Sequence, residues 1–144
     1  MKNTLIADTG YWYALLNNRD SHHQRVVDFT SSCNKNLITT WPVITETCYL
    51  LSSRSSISAA RRFLELGATE MFTVFQLEQE HMLRASLLMQ KYADLPMDLA
   101  DASIVILAEE LGHGRILSTD QRDFNTYRWK NHEPFENLLL PDFS

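Results

Sequence analysis

Four short apolar runs divide this chain, at residues 4–7, 37–40, 71–75 and 115–118, and the segments between them are far too long for hairpins. Those segments carry apolar side chains at helical rather than alternating spacing, so the connections are helices. Strands joined by helices pair in parallel through right-handed crossovers. The chain therefore reads as an α/β fold. In such sheets ligands bind outside the carboxyl ends of the strands, where the strand order reverses.

The elements can be placed in some detail. The first strand ends on Asp8, and Gly10 is expected to permit a turn before a short helix at 11–16. Asp20 and Ser21 are cap candidates for a helix to about Ser31, with His22 and His23 on its solvent side. Pro42 suits the first turn of a helix running to about Ser53. Ser56 or Ser58 opens the next helix, which Gly67 should end. A long amphipathic helix is expected over 78–92, with Met82, Ala85, Leu88, Met89 and Tyr92 on its apolar face. Pro96 precedes a helix at 98–111 that Gly112 and Gly114 stop, and a last short strand is expected within 135–139. With no repeat, low-complexity tract or linker, residues 1–144 read as one domain.

Carboxylates recur where these elements begin or end: Asp8 after the first strand, Glu46 one turn into the Pro42 helix, Asp98 and Asp101 in the helix at 98–111, and Asp120 after the fourth strand. Asp8 and Asp120 repeat one strand-then-acid arrangement and should emerge on the same sheet edge. Asp101 projects within the stripe of Ile104, Val105, Ala108 and Leu111, where a carboxylate needs a partner, a hydrogen bond or a metal. Asp98 is both a cap candidate and a site candidate, and Asp123 is either a second site acid or a turn residue before Phe124. Glu109 and Glu110 are read as surface charges. Acids gathered this way would stay partly protonated near neutral pH unless a cation neutralised them. All-oxygen ligation suits Mg²⁺ or Mn²⁺, whose common catalytic use is on phosphate esters. Ser118 and Thr119, beside Asp120, can hydrogen-bond a metal-bound water or a phosphate, and Thr9, beside Asp8, is grouped with them as supporting.

Bulk properties narrow the function classes. The net charge of −5 argues against nucleic-acid binding through a broad basic surface, although five site carboxylates account for that excess. Arg122, Arg128 and Lys130, clustered after Asp120, read either as contacts to substrate phosphates or as ordinary surface charge. Cys33 and Cys48 lack zinc-ligand spacing and read as buried free thiols. No apolar run approaches the roughly 18 residues of a membrane span, and the N-terminus is a poor signal peptide, so a cytoplasmic location is expected.

The segments LIADTGYWYALL, TTWPVITETCYLL, YADLPMDLADASIVILAEELG and ILSTDQRDF resemble, in order, the acidic motifs of PIN-domain ribonucleases. The resemblance runs from Thr4 to the PFENLLLP ending and is closest to the VapC-type toxins of toxin–antitoxin pairs. It implies a three-layer α/β/α domain with a central, mostly parallel sheet. It implies Mg²⁺- or Mn²⁺-dependent cleavage of single-stranded RNA, homodimerisation and a small cognate antitoxin. By position Asp8, Glu46, Asp101 and Asp120 match the family's acidic quartet, with Asp98 a near neighbour. Metal held by Asp8, Asp101 and Asp120 would acidify the attacking water. The apolar density of TGYWYALL and RRFLELG suggests that these helices form the dimer contact.

Other readings stay open. A PIN-fold nuclease without a toxin role has the same motifs, as does a non-catalytic module that kept the acids. A receiver-like Mg²⁺-binding domain also gathers acids at strand ends, but the strands at 37–40 and 71–75 end without Asp. Asp8-Thr9-Gly10 matches the aspartic-protease triplet, whose almost all-β fold this helix-rich chain does not share.

Overall fold

The computed structural model describes residues 3–141. Met1 and Lys2, which open the N-terminal segment read as a poor signal peptide, lie outside them. The chain begins β1 (Thr4–Ala7), α1 (Thr9–Leu16), α2 (His23–Ser32), β2 (Asn36–Thr40), α3 (Trp41–Arg54) and α4 (Ile57–Ala68). It continues with β3 (Phe72–Phe75), α5 (His81–Lys91), α6 (Leu99–Leu111) and β4 (Arg115–Leu117). A short helix α7 (Gln121–Thr126), two hairpin strands β5 (Arg128–Trp129) and β6 (Glu133–Pro134), and β7 (Glu136–Asn137) follow.

Five strands form one parallel sheet in the order β3-β2-β1-β4-β7. The chain steps outward from β1 through β2 to β3, then returns to the far side of β1 as β4. Right-handed crossovers put α1–α4 on one face and, because the direction reverses, α5 and α6 on the other. This is the expected three-layer α/β/α arrangement. Every residue of β1 is buried, as a strand covered on both faces must be. The reversal falls between β1 and β4, so the crevice for a ligand opens at their carboxyl ends.

The layers are locked by aromatic side chains. Trp12 of α1 packs between Phe63 of α4 and Phe72 of β3, with ring centroids 5.5 and 4.6 Å away. Tyr11 and Trp12 are fully buried within the chain. TGYWYALL is therefore core, and its aromatic density does not mark a surface for a second copy. Exposed apolar side chains lie elsewhere, on Trp41 and Tyr49 of α3, Ile57 and Leu64 of α4, the latter within RRFLELG, Met82, Leu83, Leu87 and Met89 of α5, and Leu99 of α6.

Several local expectations change for packing reasons. Gly10 lies inside α1 rather than in a turn, and a Cβ there would sit 2.0 Å from Thr119 Oγ1. Gly67 does not end α4, which runs on to Ala68; a Cβ at Gly67 would meet Phe72 Cζ at 2.8 Å. Both glycines serve close approach. The second helix starts at His23, and Asp20, two residues before the N-cap His22, accepts from the His22 N–H and so does not cap α2. His23 faces inward, its Nδ1 bonded to the Ala14 carbonyl at 2.7 Å. Met82 turns outward, and α5 buries only Ala85 and Leu88. In α6 burial extends all round from Ala102 to Ala108, not along one stripe. Cys33 and Cys48 are free but only half-buried. No helix among the described residues is long and apolar enough to cross a membrane.

Candidate active site

Asp8 follows β1 directly and caps α1, its Oδ1 accepting from the Thr9 N–H at 2.7 Å. Its own N–H donates to the Leu117 carbonyl at 3.1 Å, which holds the exit of β4 against the start of α1. Ser118, fully buried at that exit, donates its hydroxyl to Asp8 Oδ2 at 3.0 Å and accepts from the Asp120 N–H at 2.9 Å. One hydroxyl thus fixes the carboxylate of Asp8 and the backbone of Asp120. Asp120 in turn caps α7 by accepting from the Asp123 N–H at 3.3 Å.

Glu46 arrives from α3. Thr40 caps that helix and Pro42 occupies its first turn, so α3 begins immediately after β2 and carries Glu46 along the sheet edge. The Thr9 hydroxyl donates to Glu46 Oε1 at 2.6 Å. From the other layer comes α6, opened by a capping box. The Asp101 N–H donates to Asp98 Oδ1 at 2.9 Å, and the Asp98 N–H to Asp101 Oδ2 at 3.4 Å. Ser103 of α6 and Thr40 share a hydroxyl–hydroxyl bond of 2.6 Å that ties the two helix starts together.

These acids perturb one another. Burial raises Asp8 to about 7, with the charges of Asp120 and Glu46 adding to it against the hydrogen bonds from Thr9 and Ser118. Asp101 is raised to about 8, first by burial and then by Asp8 and Asp98. Glu46 is also raised, by burial and then by the nearby Asp98, against the hydrogen bond from Thr9. Asp123 is pushed to about 6 by burial and by Asp120. Among the described residues, none of Asp8, Glu46, Asp98, Asp101 and Asp120 has an ion-pair partner; Arg122 lies 3.9 Å from Asp123.

An all-oxygen, partly buried donor set that is driven toward protonation for want of positive charge fits a hard divalent cation. The side chains do not yet form a tight chelate. Among the described residues no three His, Cys, Asp or Glu groups converge closely enough to grip one ion. One oxygen each of Asp8, Asp98 and Asp120 is engaged in capping its own helix.

The five acids singled out from the sequence thus meet at one edge, with Asp123 at their margin. Asp98 is cap and site neighbour at once. Thr9 and Ser118 orient acids, whereas the Thr119 hydroxyl lies over Gly10. The basic residues are dispersed. Arg128 Nη1 donates to the carbonyls of Asn125 and Tyr127 at 2.8 and 2.9 Å. The Lys130 ammonium sits 5.8 Å over the Trp129 ring. Arg122, beside Asp123, is the one of the three that borders the acids.

Tyr127 was not legible beforehand. Its hydroxyl stands 3.5 Å from Asp101 Oδ2, and burial followed by the charge of Asp101 drives its pKa upward. Nothing in the spacing of TYRWK signals this, because the contact depends on the tertiary position of the segment after α7.

Fold and site together define an α/β domain with an acidic cleft at its sheet's switch point. The PIN domain family model matches residues 5–130, and the chain belongs to that family. Ribonuclease VapC26 of Mycobacterium tuberculosis is 29% identical over 127 residues, covering 86% of this chain and 92% of the relative. The solved structure of VapC20 of the same organism, a Sarcin-Ricin loop cleaving toxin, superimposes with a TM-score of 0.75 at 20% identity, over 81% of this chain and 89% of that one. PAE2754 from Pyrobaculum aerophilum matches less closely, with a TM-score of 0.53 at 19% identity over 86% and 84%. The resemblance to VapC-type PIN domains read from the motifs holds.

Proposed function

We propose that this protein is a divalent-metal-dependent endoribonuclease acting on single-stranded RNA, and that it serves as the toxin of a toxin–antitoxin pair. The observation that carries the reading is the gathering of Asp8, Glu46, Asp98, Asp101 and Asp120 without an ion-pair partner among the described residues; burial first, and neighbouring acids second, raise Asp8 to about 7 and Asp101 to about 8. Asp8, Asp101 and Asp120 would hold the Mg²⁺ or Mn²⁺, with Glu46 and Asp98 flanking them. Bound there, the ion supplies positive charge for a phosphodiester and lowers the pKa of water toward neutrality. The chain's own part is orientation. Ser118 sets Asp8 and Asp120, Thr9 sets Glu46, and Tyr127 sits beside Asp101.

The relatives named ribonuclease and toxin support this reading over a non-catalytic module. The whole chain acts as one such domain in the cytoplasm, as a homodimer that a small cognate antitoxin inhibits. Purified protein freed of any partner should cut single-stranded RNA with Mn²⁺ or Mg²⁺ and stop on EDTA addition. Asp8→Asn, Asp101→Asn and Asp120→Asn should each be nearly inactive. Cleavage that persists in EDTA, or full activity in Asp101→Asn, would show the reading to be wrong.

A further inference from the structure

Beside the acids runs a groove of about 610 Å³. One wall is the face of α3 that carries Trp41, Thr45 and Tyr49 at successive turns, and the opposite wall is Leu99 and Ala100 at the start of α6. Glu46 and Asp98 line the same groove, so it opens directly into the acid cluster. Its rim is conspicuous for what it leaves in water. Trp41 is 49% exposed and Tyr49 70% exposed, whereas Trp12, Tyr11 and Tyr127 are fully buried. The cap and first turn of α3 do not call for an indole, although Trp41 also lines a second, apolar pocket with Ile44, Leu64 and Phe72. Thr40 supplies the cap and Pro42 the first-turn residue, and Trp41 is neither.

Large aromatic faces left in water beside a catalytic cleft need an occupant with flat, apolar faces of its own. A strand with its phosphate at Asp8 and Asp101 must pass Glu46 and Asp98, and the bases next to that phosphate then reach the groove. An unstacked base offers a π-face to an aromatic side chain regardless of sequence, whereas a base held in a duplex does not. The groove has no cation on its lining to compete for the backbone. Trp41 and Tyr49 are eight residues apart on one helix, about 12 Å along its axis, so each takes a different base.

We propose that Trp41 and Tyr49 form a base-stacking platform that grips the nucleotides flanking the scissile phosphate and restricts the site to single-stranded substrate. The inference rests on the ribonuclease reading for the position of that phosphate. The platform determines substrate class, while the acids carry the chemistry. Because stacking tolerates any base, it gives preference for unpaired segments without a strict sequence requirement.

The test pairs ring removal with base removal. A fluorescein-labelled single-stranded RNA 12-mer and copies with one abasic residue at each position are titrated into otherwise wild-type protein with Ca²⁺ in place of Mn²⁺, with intact strand confirmed on a gel after each titration. The same is done with Trp41→Ala, Tyr49→Ala and Trp41→Phe added. Each Ala change should weaken binding of the intact strand about tenfold. An abasic residue at the matching position should weaken the parent as much but cause no further loss in the Ala variant. Trp41→Phe should restore most of the affinity. A duplex of the same sequence should bind the parent no better than the Ala variants do. Full additivity of ring and base losses, unchanged affinity in both Ala variants, or a parent that binds no strand would overturn the platform. So would light scattering that finds a parent dimer broken to monomers by these changes, since the face would then belong to a second copy. Cleavage by Trp41→Ala protein with the active-site acids intact separates the two readings. RNA cut at the wild-type rate and KM sinks the platform alone. Ring-dependent binding by a wild-type protein that never cuts RNA sinks the nuclease reading alone.

Discussion

Gly10 and Thr119 meet at the seam between α1 and the loop after β4, where a Cβ on residue 10 would lie 2.0 Å from the Thr119 hydroxyl oxygen. The seam is also where Asp8 and Asp120 are set. Gly10→Ala should therefore destabilise the fold by about 1–3 kcal/mol through overpacking, despite the better helix propensity of alanine. It should also reduce activity by shifting Asp120. Thr119→Ala in the same chain should recover most of both losses, a coupling measurable as a double-mutant cycle in urea. Additive losses would mean that the clash is absorbed elsewhere.

The burial of these acids, with their mutual repulsion second, makes a second prediction about stability. Asp8 and Asp101 are raised from the ordinary carboxylate value of 3.8 to about 7 and about 8. Between about pH 4 and pH 8 the folded chain keeps protons that the unfolded chain has released. Stability in EDTA must then be greatest at the acid end of that window, fall as pH rises through it, and level off above. For buried Asp8 the loss is on the order of 4 kcal/mol. Asp8→Asn should flatten the slope and be more stable than wild type at pH 8. Urea melts at pH 5 and pH 8 measure this, and equal slopes in the two proteins would contradict it.

Much of this site could be read from the sequence because each acid is tied to a local rule. Asp8 and Asp120 end strands, and Asp98 begins a helix whose third residue is Asp101, so position along the chain already fixed their place on the sheet edge. The helix α7 and the hairpin β5–β6 were not legible, since elements of two to six residues carry too little periodicity. Their location rests on long-range contacts such as Tyr92 against Tyr127, with centroids 4.9 Å apart. The orientation of single side chains was hidden for the same reason. Whether Met82 faces in or out, or whether Gly67 ends a helix or admits a Phe72 ring, depends on neighbours distant in sequence.

Glu109 illustrates that limit and sets a third prediction. On the helix wheel it looked like an outer surface charge, yet it takes two hydrogen bonds from Arg84, at 3.0 and 2.6 Å, and a third from the Lys130 N–H at 2.6 Å. It anchors the turn of the β5–β6 hairpin, where Lys130 and Asn131 both have positive φ, to α5 and α6. Its side chain is 17% exposed, so Glu109→Gln should cost about 1–3 kcal/mol, with RNA cleavage by the folded fraction preserved. Glu65→Gln, on the exposed face of α4, should stay within about 0.5 kcal/mol of wild type. A Glu109→Gln midpoint equal to that of Glu65→Gln would show the anchor to be idle.

Ser118 is the most economical place to disturb the acids without removing a charge. Its hydroxyl donates to Asp8 Oδ2 at 3.0 Å and accepts from the Asp120 N–H at 2.9 Å. Ser118→Ala removes both bonds and adds no clash. Asp8 then loses a donor that favours its ionised form, so its pKa in metal-free protein should rise further above about 7. The Asp120 N–H is left without that acceptor, and the loop after β4 loses its register against α1. Because such outer hydrogen bonds orient ligating groups, Mn²⁺ affinity by titration calorimetry should fall about 10–100-fold. Ser118→Thr keeps the hydroxyl and should retain affinity wherever its extra methyl is accommodated, which a circular dichroism melt checks. If Ser118→Ala binds Mn²⁺ as tightly as wild type while its melt is unchanged, the hydroxyl does not position Asp8, and the acids are held by their helix caps alone.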